Sequence, residues 1–147
     1  MDELGAEVLE ALRGYVVAYQ DSSRDLAHHM GLPVPDGVGL GEVLYAEQRG
    51  APLSPTALSH RIALTSGATN ALVNRLETRG LVTRSREHED RRIVSLRATA
   101  VARSRAEQFF GPSRAHLAQT LDGYERDRLV IVRDALRELA AVLPRAR

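Results

Sequence analysis

The residues of this chain best suited to chemistry are two adjacent arginines, Arg91 and Arg92, in the polar stretch "SREHEDRRIVSLRAT" (85–99). A guanidinium presents a planar fork of donors that matches a phosphate or a guanine edge. Asp90, immediately before them, is placed to orient or restrain that fork by ion pairing. The surroundings favour such use. All twenty basic residues are arginine, and they are not spread evenly. Residues 1–53 hold three Arg against nine acids, residues 54–105 ten against four, and residues 106–147 seven against six. The middle third is therefore a basic module, the electrostatic footprint of a polyanion partner. The plainer alternative is a solvated turn whose exposed ion pairs contribute little.

Other chemistries lack their parts. The chain has no cysteine, which removes disulfides, thiolate zinc sites and thiol redox sensing. His28, His29, His60, His88 and His116 are scattered over different elements, and neighbouring helical residues such as His28 and His29 point about 100° apart. No metal site and no cofactor is expected. There is no phosphate loop and no Ser-His-Asp spacing, so an enzyme is not expected either. The apolar run "LVIV" (129–132) is far short of the roughly 20 residues of a membrane span, and "MDELGAEVLE" lacks a basic leader. A soluble, cytoplasmic protein without a membrane partner is the expectation, built as one domain over 147 residues.

The elements that must position the arginines follow from spacing. Leu9, Leu12, Val16 and Tyr19 predict an amphipathic helix from Leu4 to about Met30. "MGLPVPDG" breaks it, and "VGLGEVLYAEQRG" predicts a short helix closing at Gly50. Ser54 then fits an N-cap before Pro55, with Leu53 and Leu58 as a hydrophobic staple, for a helix over about 55–63. Thr65 caps the next, in which Thr69, Leu72, Val73 and Leu76 form the apolar stripe and Gly80 the stop. Two helices joined by a short turn form a helix-turn-helix. Its outward residues, Ser66, Gly67, Ala68, Asn70, Ala71, Asn74, Arg75 and Thr78, are small or hydrogen-bonding, which suits entry into a DNA major groove. They also suit an ordinary solvated face.

"LVTRSR" and "IVSLRA" read as a β-hairpin with Val94, Leu96 and Ala98 on one face, and its tip carries Arg91 and Arg92. A hairpin directly after a helix-turn-helix is a wing, placed to reach a neighbouring minor groove. Thr99 caps a long helix through about Leu121. "DGYE" (122–125) has capping-box spacing before a last helix, where Leu129, Val132, Leu136, Leu139 and Leu143 make a heptad seam. With no other core for their stripes, the terminal helices are expected to pair two chains; packing within one chain is the alternative. The predicted fold is mainly α with a small β-hairpin wing: a winged module over about 38–99 between dimerisation helices over about 4–30 and 100–143.

The sequence resembles the MarR (multiple antibiotic resistance regulator) family of winged helix-turn-helix transcription factors. The specific part runs from "LSPTALSHRIALTSGATNALVNRLETRGLVTR" through "HEDRRIVSLRAT". The resemblance implies a homodimeric regulator on a pseudo-palindromic double-stranded DNA operator. Groove contacts would fall on Ser66, Ala68, Asn70, Ala71, Asn74 and Arg75, with Arg91 and Arg92 in the wing and Ser54 and Thr56 on phosphates. The family often has Asp where Asn74 stands and a Leu-Thr pair where Ala98-Thr99 stands. It also implies repression released by a small, aromatic or anionic effector, with Tyr15, Tyr19, His28, His29, Met30, Tyr45 and Arg49 nearest its pocket. Core packing is the competing role for each tyrosine. The competing function is a winged-helix interaction or scaffold dimer without specific DNA binding, for which paired arginines at a wing tip would have no use.

Overall fold

The computed structural model describes residues 2–87, 89–90 and 92–144. Its elements are α1 (Glu3–Met30), α2 (Val34–Gln48), α3 (Pro55–Ile62), α4 (Ser66–Thr78), β1 (Val82–Ser85), β2 (Ser95–Ala98), α5 (Ala100–Asp122) and α6 (Arg126–Ala141). The fold is mainly helical with one antiparallel hairpin, as expected. The chain forms two compact units, Met1–Phe109 and Phe110–Arg147, whose boundary falls inside α5.

In the first unit, α1 begins where the Asp2 carboxylate accepts the Gly5 N–H at 2.8 Å. It ends at Gly31, whose φ of 66° is the left-handed conformation that glycine adopts without a Cβ penalty. Leu26, Ala27 and Met30, near its C-terminal end, are buried. The next helix starts earlier than expected, because "MGLPVPDG" is only in part a break. Pro33 is its N-cap and Pro35 lies in the first turn, where a missing N–H costs nothing, so α2 starts at Val34 rather than near Val38. The glycines that weaken its helix propensity let it pack closely. A Cβ on Gly39 would stand 2.8 Å from Leu72 Cδ2 of α4.

The helix-turn-helix forms from local signals. Ser54 Oγ accepts the Ala57 N–H at 3.1 Å, and Thr65 Oγ1 accepts that of Ala68 at 3.2 Å. Between the two helices Ala63 turns the chain with φ 53°. Leu40 and Val43 of α2, Leu58 of α3, and Leu72, Val73 and Leu76 of α4 are fully buried. Each such side chain contributes about 1.5–3 kcal/mol relative to exposure. This core fixes α4 against α2.

The hairpin pairs Val82 with Ala98, Thr83 with Arg97, Arg84 with Leu96 and Ser85 with Ser95. Val82, Leu96 and Ala98 are buried beneath it. The Leu96 N–H also donates to the Leu53 carbonyl at 2.7 Å, tying the wing to the segment before α3. Thr99 Oγ1 donates to the Gly80 carbonyl and accepts the Ala102 N–H, capping α5 as its sequence predicts.

In the second unit α6 has no buried residue; Val132, Leu136 and Leu143 of the expected seam are exposed. The capping box expected at "DGYE" does not form. Asp122 is still helical in α5, and the N-cap of α6 is Glu125, with no side-chain cap hydrogen bond.

Candidate nucleic-acid interface

On α4 the burial pattern divides the helix cleanly. Thr69, Leu72, Val73 and Leu76 face the core, while Ser66, Gly67, Ala68, Asn70, Ala71, Asn74, Arg75 and Thr78 are all exposed. Ser54, half-buried, spends its oxygen lone pair on the α3 cap, leaving its O–H free to donate, and Thr56 beside it is exposed.

Arg75 carries an ion pair that its place on the exposed face does not foretell. Its Nε and Nη2 donate to Asp36 Oδ2 and Oδ1 at 2.9 and 2.6 Å, a two-pronged ion pair with the start of α2. The Asp36 side chain is 0% exposed and that of Arg75 51% exposed. The carboxylate holds the Arg75 proton more tightly than usual, its hydrogen bond being the main cause. Asp36 was missed because its partner lies 39 positions away, beyond any helical spacing. Its one sequence signal is an acid set among apolar and glycine residues in "VPDGVGL".

In the wing, Asp90 Oδ1 accepts the backbone N–H of Arg92 at 3.0 Å, so part of its support acts through the backbone of the turn rather than through the guanidinium alone. Arg91 lies outside the described residues. At the base of the wing Arg97 grips Glu87 with two hydrogen bonds, 2.6 and 2.8 Å long, and lies 3.6 Å from Glu47 of α2. Arg84 pairs with Glu77, Arg61 with Glu42, and Arg103 with Glu47. Arg79 and Arg105 donate to the carbonyls of Gly31 and His29. Among the described residues of the basic module, Arg86 and Arg92 keep guanidiniums with no protein partner, both exposed and both in the wing loop. The structure thus presents, on one unit, an acid-free helix face and a loop with uncommitted cations.

Comparison with known proteins agrees with this arrangement. Residues 46–94, from the end of α2 into the wing loop, match the MarR family model. The helix-turn-helix and the start of the wing are thus similar to the MarR family. A MarR family protein from Bacillus stearothermophilus is 25% identical, with 96% of each chain covered and a TM-score of 0.61. The transcription regulator MarR from Oenococcus oeni PSU-1 is 16% identical, with 91% of this chain and 98% of that one covered and a TM-score of 0.63. A mutant of MepR from S. aureus, bound to an oligodeoxyribonucleotide, is 15% identical over 93% and 98% of the two chains, with a TM-score of 0.54. At 15–16% identity these likenesses concern the fold. No curated protein matches the sequence. Among the described residues no helix is long and apolar enough to cross a membrane, and no cluster of three or more His, Asp or Glu could hold a metal ion.

Of the residues that the MarR resemblance implies for an effector pocket, the structure brings Tyr15, Tyr19 and Tyr45 near one another. A cavity of about 430 Å³ between α1 and α2 is lined by Tyr19, Gln20, Ser23, Arg24, Val34, Val38 and Glu42, so Tyr19 alone of the seven expected residues lines it. Tyr15 and Tyr45 are exposed near Tyr19. Partial burial, then the charge of Glu42, raises the Tyr19 phenol above its ordinary value. Met30 is in the core, and Arg49 is exposed at the end of α2. His28 lies about 220° round α1 from Tyr15. The His29 ring packs on Phe109 at 5.2 Å. The resemblance groups these residues; rotation along α1 turns His28 away from Tyr15.

Proposed function

We propose that the protein is a homodimeric, sequence-specific DNA-binding regulator that represses transcription by occluding a promoter. The observation that carries this reading is the exposed, acid-free run Ser66, Ala68, Asn70, Ala71 and Asn74 on a helix whose other side is locked in the core. Such a face suits the major groove, with Asn able to meet an adenine edge and Ala a thymine methyl. Arg91 and Arg92 serve the adjacent minor groove, and Ser54 and Thr56 serve phosphates.

Exposed apolar side chains support pairing with a second copy: Leu4, Val8, Leu9 and Val16 on α1, and Ile131, Val132 and Leu136 on α6. Apolar faces of this kind, on either unit, mark interaction sites. Two copies would offer their α4 helices to half-sites about one helical turn apart on a pseudo-palindromic operator. A small aromatic effector entering the α1–α2 cavity beside Tyr19 would favour a dimer of different half-site spacing and so release the operator.

The test is selection of bound duplexes from a random library at near-physiological salt, with the protein's mass measured by light scattering in the same buffer. The reading expects an enriched inverted repeat bound by a dimer. A stable dimer that binds no DNA would instead identify an interaction module.

A further inference from the structure

The geometry points to Asp36 as a residue that decides which bases α4 reads, by holding Arg75 out of the groove so that the helix selects A·T pairs. This rests on the DNA-binding reading above and specifies the class of sequence recognised.

The commonest specific contact in the major groove is an arginine or lysine fork on the O6 and N7 of guanine. Arg75 is the one such side chain within α4, and its position is suited to that use. At about 100° per residue it lies on the flank of the exposed face, beside Ala68 and one turn after Ala71. Helical side chains lean toward the N-terminus. An uncommitted Arg75 would therefore extend over Ala71 toward the end of the helix that enters the groove.

The structure spends that fork elsewhere. Both carboxylate oxygens of Asp36 take its Nε and Nη2. Asp36 is wholly buried, so water cannot replace the arginine as its partner, and removing the arginine would leave a buried charge unpaired. With Arg75 withdrawn, the groove-facing groups are the amides of Asn70 and Asn74, the hydroxyls of Ser66 and Thr78 and the methyls of Ala68 and Ala71. Asn pairs with adenine and Ala packs on the thymine methyl, while no long cation remains for guanine. The wing agrees with this preference. Arg86 and Arg92, free of protein partners among the described residues, suit the narrow, strongly negative minor groove of A·T-rich flanks.

The experiment is duplex selection from a random library with four proteins: wild type, Arg75→Gln, Asp36→Asn and the double variant. Asn70→Ala, run in parallel, marks the base positions beneath α4. Wild type and Arg75→Gln are expected to enrich the same A·T pairs there. Asp36→Asn is expected to gain a guanine in each half-site, favoured about 5- to 150-fold, and the double variant to lose it. A guanine enriched by wild type and lost in Arg75→Gln would overturn the proposal while leaving the regulator reading intact. So would an Asp36→Asn protein that is folded by circular dichroism yet keeps the wild-type preference. If Asp36→Asn or Arg75→Gln does not fold, the comparison of wild type with the double variant, in which neither charge remains, still decides. Wild type that enriches no sequence would overturn the regulator reading itself, and this proposal with it.

Discussion

Gly37 of α2 meets Ala27 of α1 so closely that a Cβ on the glycine would stand 2.2 Å from the alanine Cβ and 2.6 Å from its Cα. The obstacle is partly backbone, so no rotamer change relieves it. Gly37→Ala must part the two helices, which outweighs its gain in helix propensity of about 1 kcal/mol. A net loss of about 2 kcal/mol in urea unfolding is expected. At Gly67 of α4 nothing lies within 4 Å, and Gly67→Ala should instead stabilise by about 0.5 kcal/mol. Equal stability of Gly37→Ala and wild type would show that the helices do not meet as described.

Ala63 carries the helix-turn-helix through φ 53°, where an L side chain crowds its own carbonyl. Ala63→Gly should raise stability by about 0.5–1 kcal/mol, the relief of strain exceeding the added freedom of the unfolded chain. Ala63→Val, with its β-branch, should lower it. Thermal unfolding of the pair gives the check, and the opposite order would contradict the left-handed turn.

The wing base should be acid-sensitive. The Arg97 fork, and secondarily Ser85, hold the Glu87 carboxyl below its ordinary value. The folded state then binds the proton more weakly than the unfolded one. The pair's stabilisation is complete above the ordinary carboxylate value, about pH 4, and disappears as pH falls through the lowered one. The protection factors of the amides over 83–97 should therefore fall in acid more in wild type than in Glu87→Gln. Identical profiles would mean that the ion pair does not hold the wing.

On DNA, Arg92→Ala should weaken binding to all sequences alike and lower the salt slope by about one. Asn70→Ala should change the preferred sequence and leave the salt slope unaltered. Anisotropy titrations on matched and scrambled duplexes at several salt concentrations separate the two. A uniform loss from Asn70→Ala would move that residue to the phosphate backbone.

These predictions draw unequally on sequence. The division of α4 was legible because Thr69, Leu72, Val73 and Leu76 repeat with the helix itself, and the Ser54, Thr65 and Thr99 caps because a hydroxyl before a helix has one local use. The start of α2 was not, since Pro33 and Pro35 satisfy a helix entry as readily as a break. "DGYE" has the right spacing, but α5 continues through Asp122, where the cap was expected to begin. The Asp36–Arg75 pair depends on which faces of distant elements meet. No local periodicity carries that information.

Whether α4 and the wing loop are the surfaces that meet DNA is measured by hydrogen–deuterium exchange of the protein with and without its selected duplex. Protection is expected to concentrate at Ser66–Asn74 of α4, at the start of α3 and in the wing loop over 86–94. Binding that leaves α4 and the wing loop unprotected would contradict that expectation.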